Sequence, residues 1–209
     1  ATMGGDKFRD EFSLAFDGSD DYIDCGDSSD WNFSNGSASK FSVSLWYKNS
    51  DASPDTYASI VAKNDTGADT REWRLSIDAD DKLVCVLSDD GSGVFSNTSS
   101  FVVDDFQWHH VVMTYDGSVA TANLRCQIYV DGVDVFTTGN NNNPAELYQG
   151  TASLTIGGHL NSGAATGQWT GYISEVAIYN SALTQPQIKS IMNKNYAGLT
   201  SSEKTNLVS

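Results

Sequence analysis

The stretch "GYISEVAIYNSALTQPQI", residues 171–188, predicts a β-strand that leads directly into a short helix. Thr184 suits the N-cap position and Pro186 suits the first turn of that helix. Ile188, Ile191 and Met192 recur at helical spacing and form one apolar face. No other segment of the chain has this pattern, so we expect one short helix near the C-terminus.

Short strands separated by turn signals account for most of the remaining sequence. In "EWRLSID", residues 72–78, Trp73, Leu75 and Ile77 alternate with polar side chains, as expected for a half-buried strand. In "RCQIYVDGVDVFTT", residues 125–138, an Asp-Gly pair between two apolar stretches predicts a hairpin. Many short strands at such spacing are typical of an all-β sandwich or barrel.

Three stretches, in order along the chain, resemble one family. They are "FSLAFDGSDDYIDCG" (12–26), "WHHVVMTYDG…IYVDGV" (108–133) and "GTASLTIGGHLNSGAATGQWTGYISEVAIYNSALTQPQI" (150–188). They resemble the opening strand, the central strand pair and the C-terminal signature of laminin-G-like, concanavalin A-like domains, which include the pentraxin-like proteins. The resemblance implies an all-β fold, a jelly-roll β-sandwich of two antiparallel sheets with one short C-terminal helix. We therefore expect an N-terminal linker at 1–11, the domain at 12–195 and a C-terminal tail or linker at 196–209.

The charge of the chain excludes some partners. The formal net charge is −15, from 12 basic and 27 acidic residues. A nucleic-acid partner is not expected, because phosphate contacts require Lys and Arg. No apolar run reaches the length of about 18 residues that spans a bilayer, so we expect no membrane insertion.

The three cysteines lack CxxC spacing, and either buried free thiols or one disulfide with one free thiol fits them.

The adjacent histidines His109 and His110 look at first like a catalytic or metal site. In a strand, neighbouring side chains point to opposite faces, so the pair cannot chelate one ion without a bulge. We expect a structural role, with one ring at least half-buried and the other on an outer face. A glycosidase needs two carboxyl groups, and the resemblance implies an E-x-D-x-x-E strand for the retaining hydrolases of this superfamily; the chain has no match to it, nor to the common nucleophile motifs. We therefore predict no catalytic residues and no enzyme activity.

Calcium is the cofactor that the sequence favours, since this hard cation takes oxygen ligands from loops. The loop "KNDTGADTRE", residues 63–72, offers Asn64, Asp65, Asp69 and Glu72. The resemblance implies that this loop and "HLNSGAATGQW", residues 159–169, share one rim of the sandwich. A plain solvated rim is the alternative. The acidic run Asp17, Asp20 and Asp21 is a further, weaker candidate.

Carbohydrate is the ligand class that the resemblance implies, together with surface recognition. Sugars stack on exposed aromatic rings and bond to amide, carboxylate and guanidinium groups. The ligand-binding candidates are therefore the loop residues Trp169, Gln168, Asn161, His159, Tyr148 and Arg71. Trp169 could instead close one end of the sandwich.

We therefore expect a non-catalytic, lectin-like recognition or adhesion module that binds a surface glycan or polysaccharide. Calcium is the expected cofactor of this binding. The module would act outside the cell, on a cell surface or on a virion, as part of a larger protein. The alternative is a structural or decoration protein of a phage particle or cell-surface assembly, acting through protein contacts. Either function is compatible with a homo-oligomer or a larger assembly.

Overall fold

The computed structural model describes residues 12–33, 39–51, 57–103, 105–139 and 142–208. The predicted linker at 1–11 lies outside these residues. The described chain forms strands β1 (Leu14–Asp17), β2 (Ile23–Asp24), β3 (Lys40–Asn49), β4 (Ser59–Lys63), β5 (Trp73–Ile77), β6 (Lys82–Leu87), β7 (Phe95–Val102), β8 (Trp108–Asp116), β9 (Cys126–Val130), β10 (Val133–Asp134), β11 (Phe136–Gly139), β12 (Leu154–Ile156), β13 (His159–Asn161), β14 (Ala164–Thr166) and β15 (Thr170–Tyr179). Its helices are α1 (Gln185–Ile191) and α2 (Ser201–Lys204), with 3₁₀ turns at Ser29–Trp31, Ala122–Leu124 and Tyr196–Gly198.

Two antiparallel sheets form the predicted jelly-roll β-sandwich. The six-stranded sheet has the order β1-β15-β3-β8-β9-β10, and the seven-stranded sheet has the order β11-β7-β6-β5-β4-β12-β2. Strands β13 and β14 form a separate hairpin. Because strands distant in sequence are neighbours in both sheets, the fold depends on long-range pairing, as the resemblance implied.

The core lies between the two sheets and follows strand alternation. In the pairing of β3 with β8, Leu45 opposes Val111 and Val43 opposes Met113, and all four are fully buried. Trp73 on β5 is fully buried on the facing sheet. The alternation in "EWRLSID" therefore identified the inner face of β5 correctly, and it leaves Arg74 on the outer face.

The C-terminal segment covers the outer face of the six-stranded sheet. The predicted helix is present as α1, and Thr184 with Gln187 forms its capping box. Ile188 and Ile191 pack against Val112 of β8 in a second apolar cluster. The outer face of the six-stranded sheet is therefore covered by the chain itself.

The segment predicted to be a tail, residues 196–209, is folded onto the domain over its described part. The N–H of Val208 donates to the carbonyl of Ile178 at 2.8 Å, and the N–H of Asn180 donates to the carbonyl of Asn206 at 2.8 Å. Helix α2 adds a turn that the sequence did not predict. The domain therefore extends beyond residue 195, because the chain pairs again with the end of β15.

All three cysteines are free thiols. Cys85 and Cys126 are buried in the core, whereas Cys25 is exposed. Burial raises the pKa of Cys85 well above its usual range. Neither described helix has the length and apolar character needed to cross a membrane.

Candidate functional site

A groove of about 830 Å³ crosses the outer face of the seven-stranded sheet. We call it the sheet groove. It is lined by Tyr57, Asn64, Thr66, Arg71, Arg74, Asp78, Val84, Val86, Val94, Ser96, Thr98, His159, Asn161, Thr166 and Gly167. Its volume lies within the range of about 300–1,000 Å³ that is usual for ligand pockets.

Strands β5, β6 and β7 form the floor of the sheet groove. Arg74 on β5 opposes Val86 on β6, and Val86 opposes Ser96 on β7. Val84 opposes Thr98 one step along the same strands. Alternation places all these side chains on the outer face, so the floor combines two valines with small hydroxyl groups and one guanidinium group.

Arg74 is the unusual residue of this floor. It is 8 % exposed, and its Nε atom is buried without a hydrogen-bond partner among the described residues. Its guanidinium lies 5.7 Å from the centre of the Tyr57 ring. Burial and, to a smaller degree, the charge of Arg71 lower the pKa of Arg74 to about 10, against the opposing effect of Tyr57. At neutral pH the group is therefore still cationic.

His159 forms one wall of the groove at the start of β13. Its Nδ1 lies 3.0 Å from the Ser59 hydroxyl. The other ring nitrogen, Nε2, takes no part in this contact. Burial, followed by the charge of Arg74, lowers the pKa of His159 to about 4, although Asp65 opposes this. The imidazole is neutral at pH 7, when it can offer a donor or an acceptor but no charge.

Arg71, one of the residues predicted to bind a ligand, is among the residues that line the groove. Its Nη1 donates to the Asp69 carboxylate at 2.8 Å and to the Ser92 carbonyl at 2.8 Å, and its Nη2 donates to the Thr66 carbonyl at 2.7 Å. These bonds hold the loop between β4 and β5 against the loop after β6. Arg71 therefore contributes charge to the groove, while most of its observed hydrogen bonds serve the scaffold.

Tyr57 supplies an exposed aromatic ring at the rim. It is 52 % exposed and has a positive φ of 72°, which is rare for a bulky residue. The neighbouring wall is close, since a Cβ on Gly167 would come within 2.8 Å of the Tyr57 carbonyl oxygen and 2.7 Å of the His159 ring. Strained backbone of this kind is often found at ligand sites.

Asn161 and Asn64 complete the polar lining. Asn161 is exposed at the end of β13. Asn64 is only 1 % exposed, and its Oδ1 has no hydrogen-bond partner among the described residues. Because a buried amide oxygen without a partner is costly, Asn64 is a polar group for which a ligand or water molecule is the missing partner.

The carboxylate of Asp65 in the predicted calcium loop bonds to the protein's own backbone. Both carboxylate oxygens of Asp65 are engaged: Oδ1 accepts from the N–H groups of Gly67, Ala68 and Ser162, and Oδ2 accepts from Gly163 at 2.8 Å. Backbone donors therefore fill the positions that an ion would need, and Asp65 serves to hold two loops together.

Glu72 is also unavailable as a metal ligand. It is 2 % exposed, its Oε1 lies 2.9 Å from the Lys63 Nζ, and it accepts the N–H of Gly150 at 3.0 Å. Burial raises the pKa of Glu72 to about 7, against the opposing effects of Lys63 and Gly150. Lys63 also donates to Asp27 at 2.8 Å, so the buried Lys63–Glu72 pair extends to an exposed carboxylate at the surface.

The other predicted metal ligands are separated by the fold. Asp69 pairs with Arg71 at the surface, and Asn64 faces the sheet groove. Within the described ranges, the carboxylates that approach within 4.8 Å as a set of three are those of Asp17, Asp20 and Asp21, all exposed. The groups of Asn64, Asp65, Asp69 and Glu72 are engaged by other parts of the protein or face the groove, and calcium binding by this set stays a prediction.

Trp169, predicted as a ring on which a sugar stacks, is not exposed in the fold. Its ring is fully buried and packs edge-on against Tyr47, with ring centres 5.7 Å apart. The residue closes the interior at the start of β15, which was the alternative interpretation. Gln168 is half-buried beside it and is not among the residues that line the groove.

Tyr148 lies at a different place from the other predicted ligand residues. It is half-buried, and with Glu146 and Gln149 it lines a separate depression in the loop before β12. Its ring lies against Gly91 and Gly150, where an added Cβ would come within 2.8 and 2.9 Å of it. Tyr148 therefore supports the packing of loops and is not part of the sheet groove.

The paired histidines have structural contacts on opposite faces, as predicted. His109 bonds to Asp131 at 3.0 Å and to Asp105 at 2.8 Å, and its pKa is raised because these contacts outweigh its burial. His110 bonds to the Ser44 hydroxyl at 2.8 Å under the C-terminal segment, and burial lowers its pKa to about 4. Both rings are buried, so the expected outer-face position of His110 is covered by the chain itself.

The two groove residues with the most unusual surroundings, Arg74 and Tyr57, were not predicted from sequence. Arg74 was assigned to the outer side of its strand, but nothing indicated that this side would be open. Tyr57 stands in a loop whose course depends on distant contacts. A charged residue facing outward from a strand with no acidic neighbour at cross-strand positions is the signal that could have identified Arg74.

The fold is similar to that of several solved structures. A native heptameric SAP-like pentraxin from Limulus polyphemus has a TM-score of 0.60 and 14 % identity, covering 86 % of this chain and 81 % of that chain. The CBM40 of Ruminococcus gnavus IT-sialidase, bound to α2,3-sialyllactose, has a TM-score of 0.60 and 11 % identity, covering 87 % and 98 %. The binding domain of Paraclostridial Mosquitocidal Protein 1 has a TM-score of 0.63 and 15 % identity, and the match covers 86 % of this chain but 42 % of that chain.

The sequence itself gives a family assignment. A search of curated protein sequences found no significant match. The laminin-G-type model described as the concanavalin A-like lectin/glucanases superfamily matches residues 17–189, which is most of the chain. The protein therefore belongs to the concanavalin A-like lectin/glucanase superfamily.

Proposed function

We propose that the protein is a non-catalytic carbohydrate-binding module that takes a glycan in the sheet groove. The main support is that an exposed aromatic ring and several polar groups line the same groove. The ring is that of Tyr57, and the polar groups are those of Arg74, His159 and Asn161. Tyr57 offers a face for the apolar C–H groups of a sugar ring. The polar groups can bond to its hydroxyls, and the two valines of the floor provide apolar contact.

The acids at the groove support a role without catalysis. Hydrolysis of a glycosidic bond normally uses two carboxyl groups about 5–10 Å apart. Among the described residues that line the groove, Asp78 is the one with an acidic side chain, and its Oδ1 already accepts the N–H groups of Asp80 and Lys82. A binding function therefore fits these residues better than hydrolysis.

The structural neighbours support the same class of ligand. One of them was solved with sialyllactose bound, and a binding domain of botulinum neurotoxin DC was solved in complex with SialylT. A glycan ligand would place this protein outside the cell, on a surface or on a virion. Calcium assistance and a role in a phage or cell-surface assembly remain the sequence-based proposals described above.

A glycan array tests the proposal. The wild-type protein and Tyr57→Ala are compared, with Tyr196→Ala as the matched control, because Tyr196 is 62 % exposed but lies in the C-terminal segment. We expect glycan signals that Tyr57→Ala removes and Tyr196→Ala retains. The absence of any wild-type signal, or equal loss in both variants, would overturn the proposed function.

A further inference from the structure

The floor of the sheet groove contains a cationic side chain, Arg74, and the described residues supply no carboxylate partner for it. The side chain of Arg74 forms no ion pair or hydrogen bond with any described residue: its Nε is buried without a partner, and its guanidinium lies over the Tyr57 ring at 5.7 Å. Charged groups buried in proteins are normally paired, because an unpaired one loses its hydration without compensation. By contrast, Lys63, which is also buried, contacts both Glu72 and Asp27. Arg74 is therefore an exception within its own protein.

The surroundings of Arg74 add to this exception. The charge of Arg71 acts on it in the unfavourable sense, so two guanidinium groups lie close enough to repel each other. This positive region occurs in a chain whose formal net charge is −15. A chain with so many acidic residues could have supplied a carboxylate for Arg74 at little cost, and its described part does not.

A second polar group at the groove has the same property. Asn64 is 1 % exposed, lines the groove and has an Oδ1 without a partner among the described residues. Arg74 lacks an acceptor, and Asn64 lacks a donor. A single ligand that carries both an anionic group and hydroxyl groups would satisfy both residues.

We propose that the glycan bound in the sheet groove is an acidic one, whose sugar carboxylate pairs with Arg74. This inference rests on the proposed glycan-binding function and specifies its ligand class. The planar guanidinium matches a carboxylate in a two-bond arrangement, which a lysine ammonium does not. The Tyr57 ring lies 5.7 Å from the guanidinium, so a sugar ring against Tyr57 would bring its carboxylate to Arg74.

The net charge makes this selectivity specific to the site. Because the whole chain repels polyanions at long range, an acidic sugar gains nothing from general electrostatic attraction. A preference for the acidic form must then come from local contacts with Arg74 and Arg71. Asp78 at the groove edge acts in the opposite direction, although its Oδ1 is held by two backbone N–H groups.

The test compares each acidic oligosaccharide with its carboxyl-reduced form. Oligomers that contain uronic acid or sialic acid are titrated into the protein by calorimetry, beside the same oligomers in which the carboxylate is reduced to an alcohol. We expect the carboxylate form to bind about 10- to 100-fold more tightly, as for a hydrogen-bonded charge pair. Equal affinity of the two forms, or preference for a sulfated sugar that lacks a carboxylate, would overturn the inference.

Variants assign the preference to one residue. Arg74→Met removes the cation and should abolish the difference between the two ligand forms, while Arg74→Lys should retain only part of it. Lys40→Met is the charge-matched control, because Lys40 lies on the six-stranded sheet and pairs with Asp116 at the surface. If both Arg74 variants still prefer the carboxylate form of the ligand, the assignment to Arg74 is overturned. If Arg74→Met does not fold, Arg74→Lys alone still tests the assignment.

The two proposals fail in different ways. Binding of the carboxyl-reduced oligosaccharides that Tyr57→Ala removes, without any preference for the acidic form, would overturn the acidic ligand and leave glycan recognition standing. The absence of binding to every oligosaccharide, acidic or reduced, would overturn both.

Discussion

The Asp65 carboxylate accepts the N–H of Ser162 at 2.7 Å, across 97 positions of sequence. This bond joins the loop after β4 to the turn of the β13–β14 hairpin. The hairpin carries His159 and Asn161, which form one wall of the sheet groove. A residue that the sequence indicated as a metal ligand therefore acts as the bridge that positions this wall.

Neutralising this bridge should destabilise the fold and weaken glycan binding. In Asp65→Asn, one acceptor oxygen is replaced by an amide group, and the four backbone N–H groups lose a charged partner. We expect the free energy of unfolding to fall by about 1–3 kcal/mol, measured by urea denaturation. Asp69→Asn is the matched control, because Asp69 is an exposed member of a surface pair and should cost less than about 1 kcal/mol. Equal effects of the two variants would contradict the role of Asp65.

Removal of calcium should have little effect on the loop between β4 and β5. Its carboxylates are engaged by backbone N–H groups, Lys63 or Arg71, so no ion is required to hold them. We expect excess EDTA to shift the melting temperature by no more than about 1 °C, since a ligand released from the folded state must lower stability. A larger decrease that calcium reverses and Asp65→Asn abolishes would show that the loop binds calcium after all.

The buried pair of Lys63 and Glu72 should be costly to break from one side. Lys63→Met leaves the Glu72 carboxylate without its ammonium partner in a site that water does not reach. We expect a loss of about 3–5 kcal/mol in the free energy of unfolding. The double variant Lys63→Met/Glu72→Leu should recover much of this loss, because an apolar pair needs no compensation. If the double variant is as unstable as the sum of both single variants, the pair does not act as a unit.

Stability should depend on pH through His110. Its folded pKa of about 4 lies below the unfolded value of about 6.5, so the unfolded chain takes up the proton first. This contribution is complete above about pH 6.5 and is lost as the pH falls toward 4. At pH 5 the loss is about 2 kcal/mol.

The variant His110→Gln isolates this contribution, because Gln can still bond to Ser44 and does not titrate. The decrease in unfolding free energy between pH 7.5 and pH 5 should be about 2 kcal/mol smaller in the variant than in the wild type. The comparison is needed because Glu72, with a raised pKa, changes in the opposite sense over the same range. Equal decreases in the two proteins would contradict a buried neutral His110.

The sequence was sufficient for the sandwich but only for part of the site. Strand alternation identified the inner face of β5 and separated His109 from His110 on β8, and the capping residues located α1. Among the predicted ligand residues, Arg71, His159 and Asn161 lie at the sheet groove, because the two loops they occupy meet at one edge.

The failures share a physical cause. Whether a residue outside the core is open to solvent depends on what packs over it, which local pattern does not encode. Trp169 is in a glycine-rich segment, yet it turns inward to fill the end of the sandwich against Tyr47. Arg74 and His110 both point away from the core, but only the sheet that carries His110 is covered by α1 and the C-terminal segment.

The most direct test of glycan recognition in the sheet groove is a ¹⁵N–¹H NMR titration with the oligosaccharide that gives the strongest array signal. We predict saturable shifts of the backbone amides of Tyr57, Arg74, Ser96, Thr98 and His159, on the outer face of the seven-stranded sheet. Shifts that cluster instead around His110 and the C-terminal segment, or the absence of saturable shifts at millimolar ligand, would contradict the account.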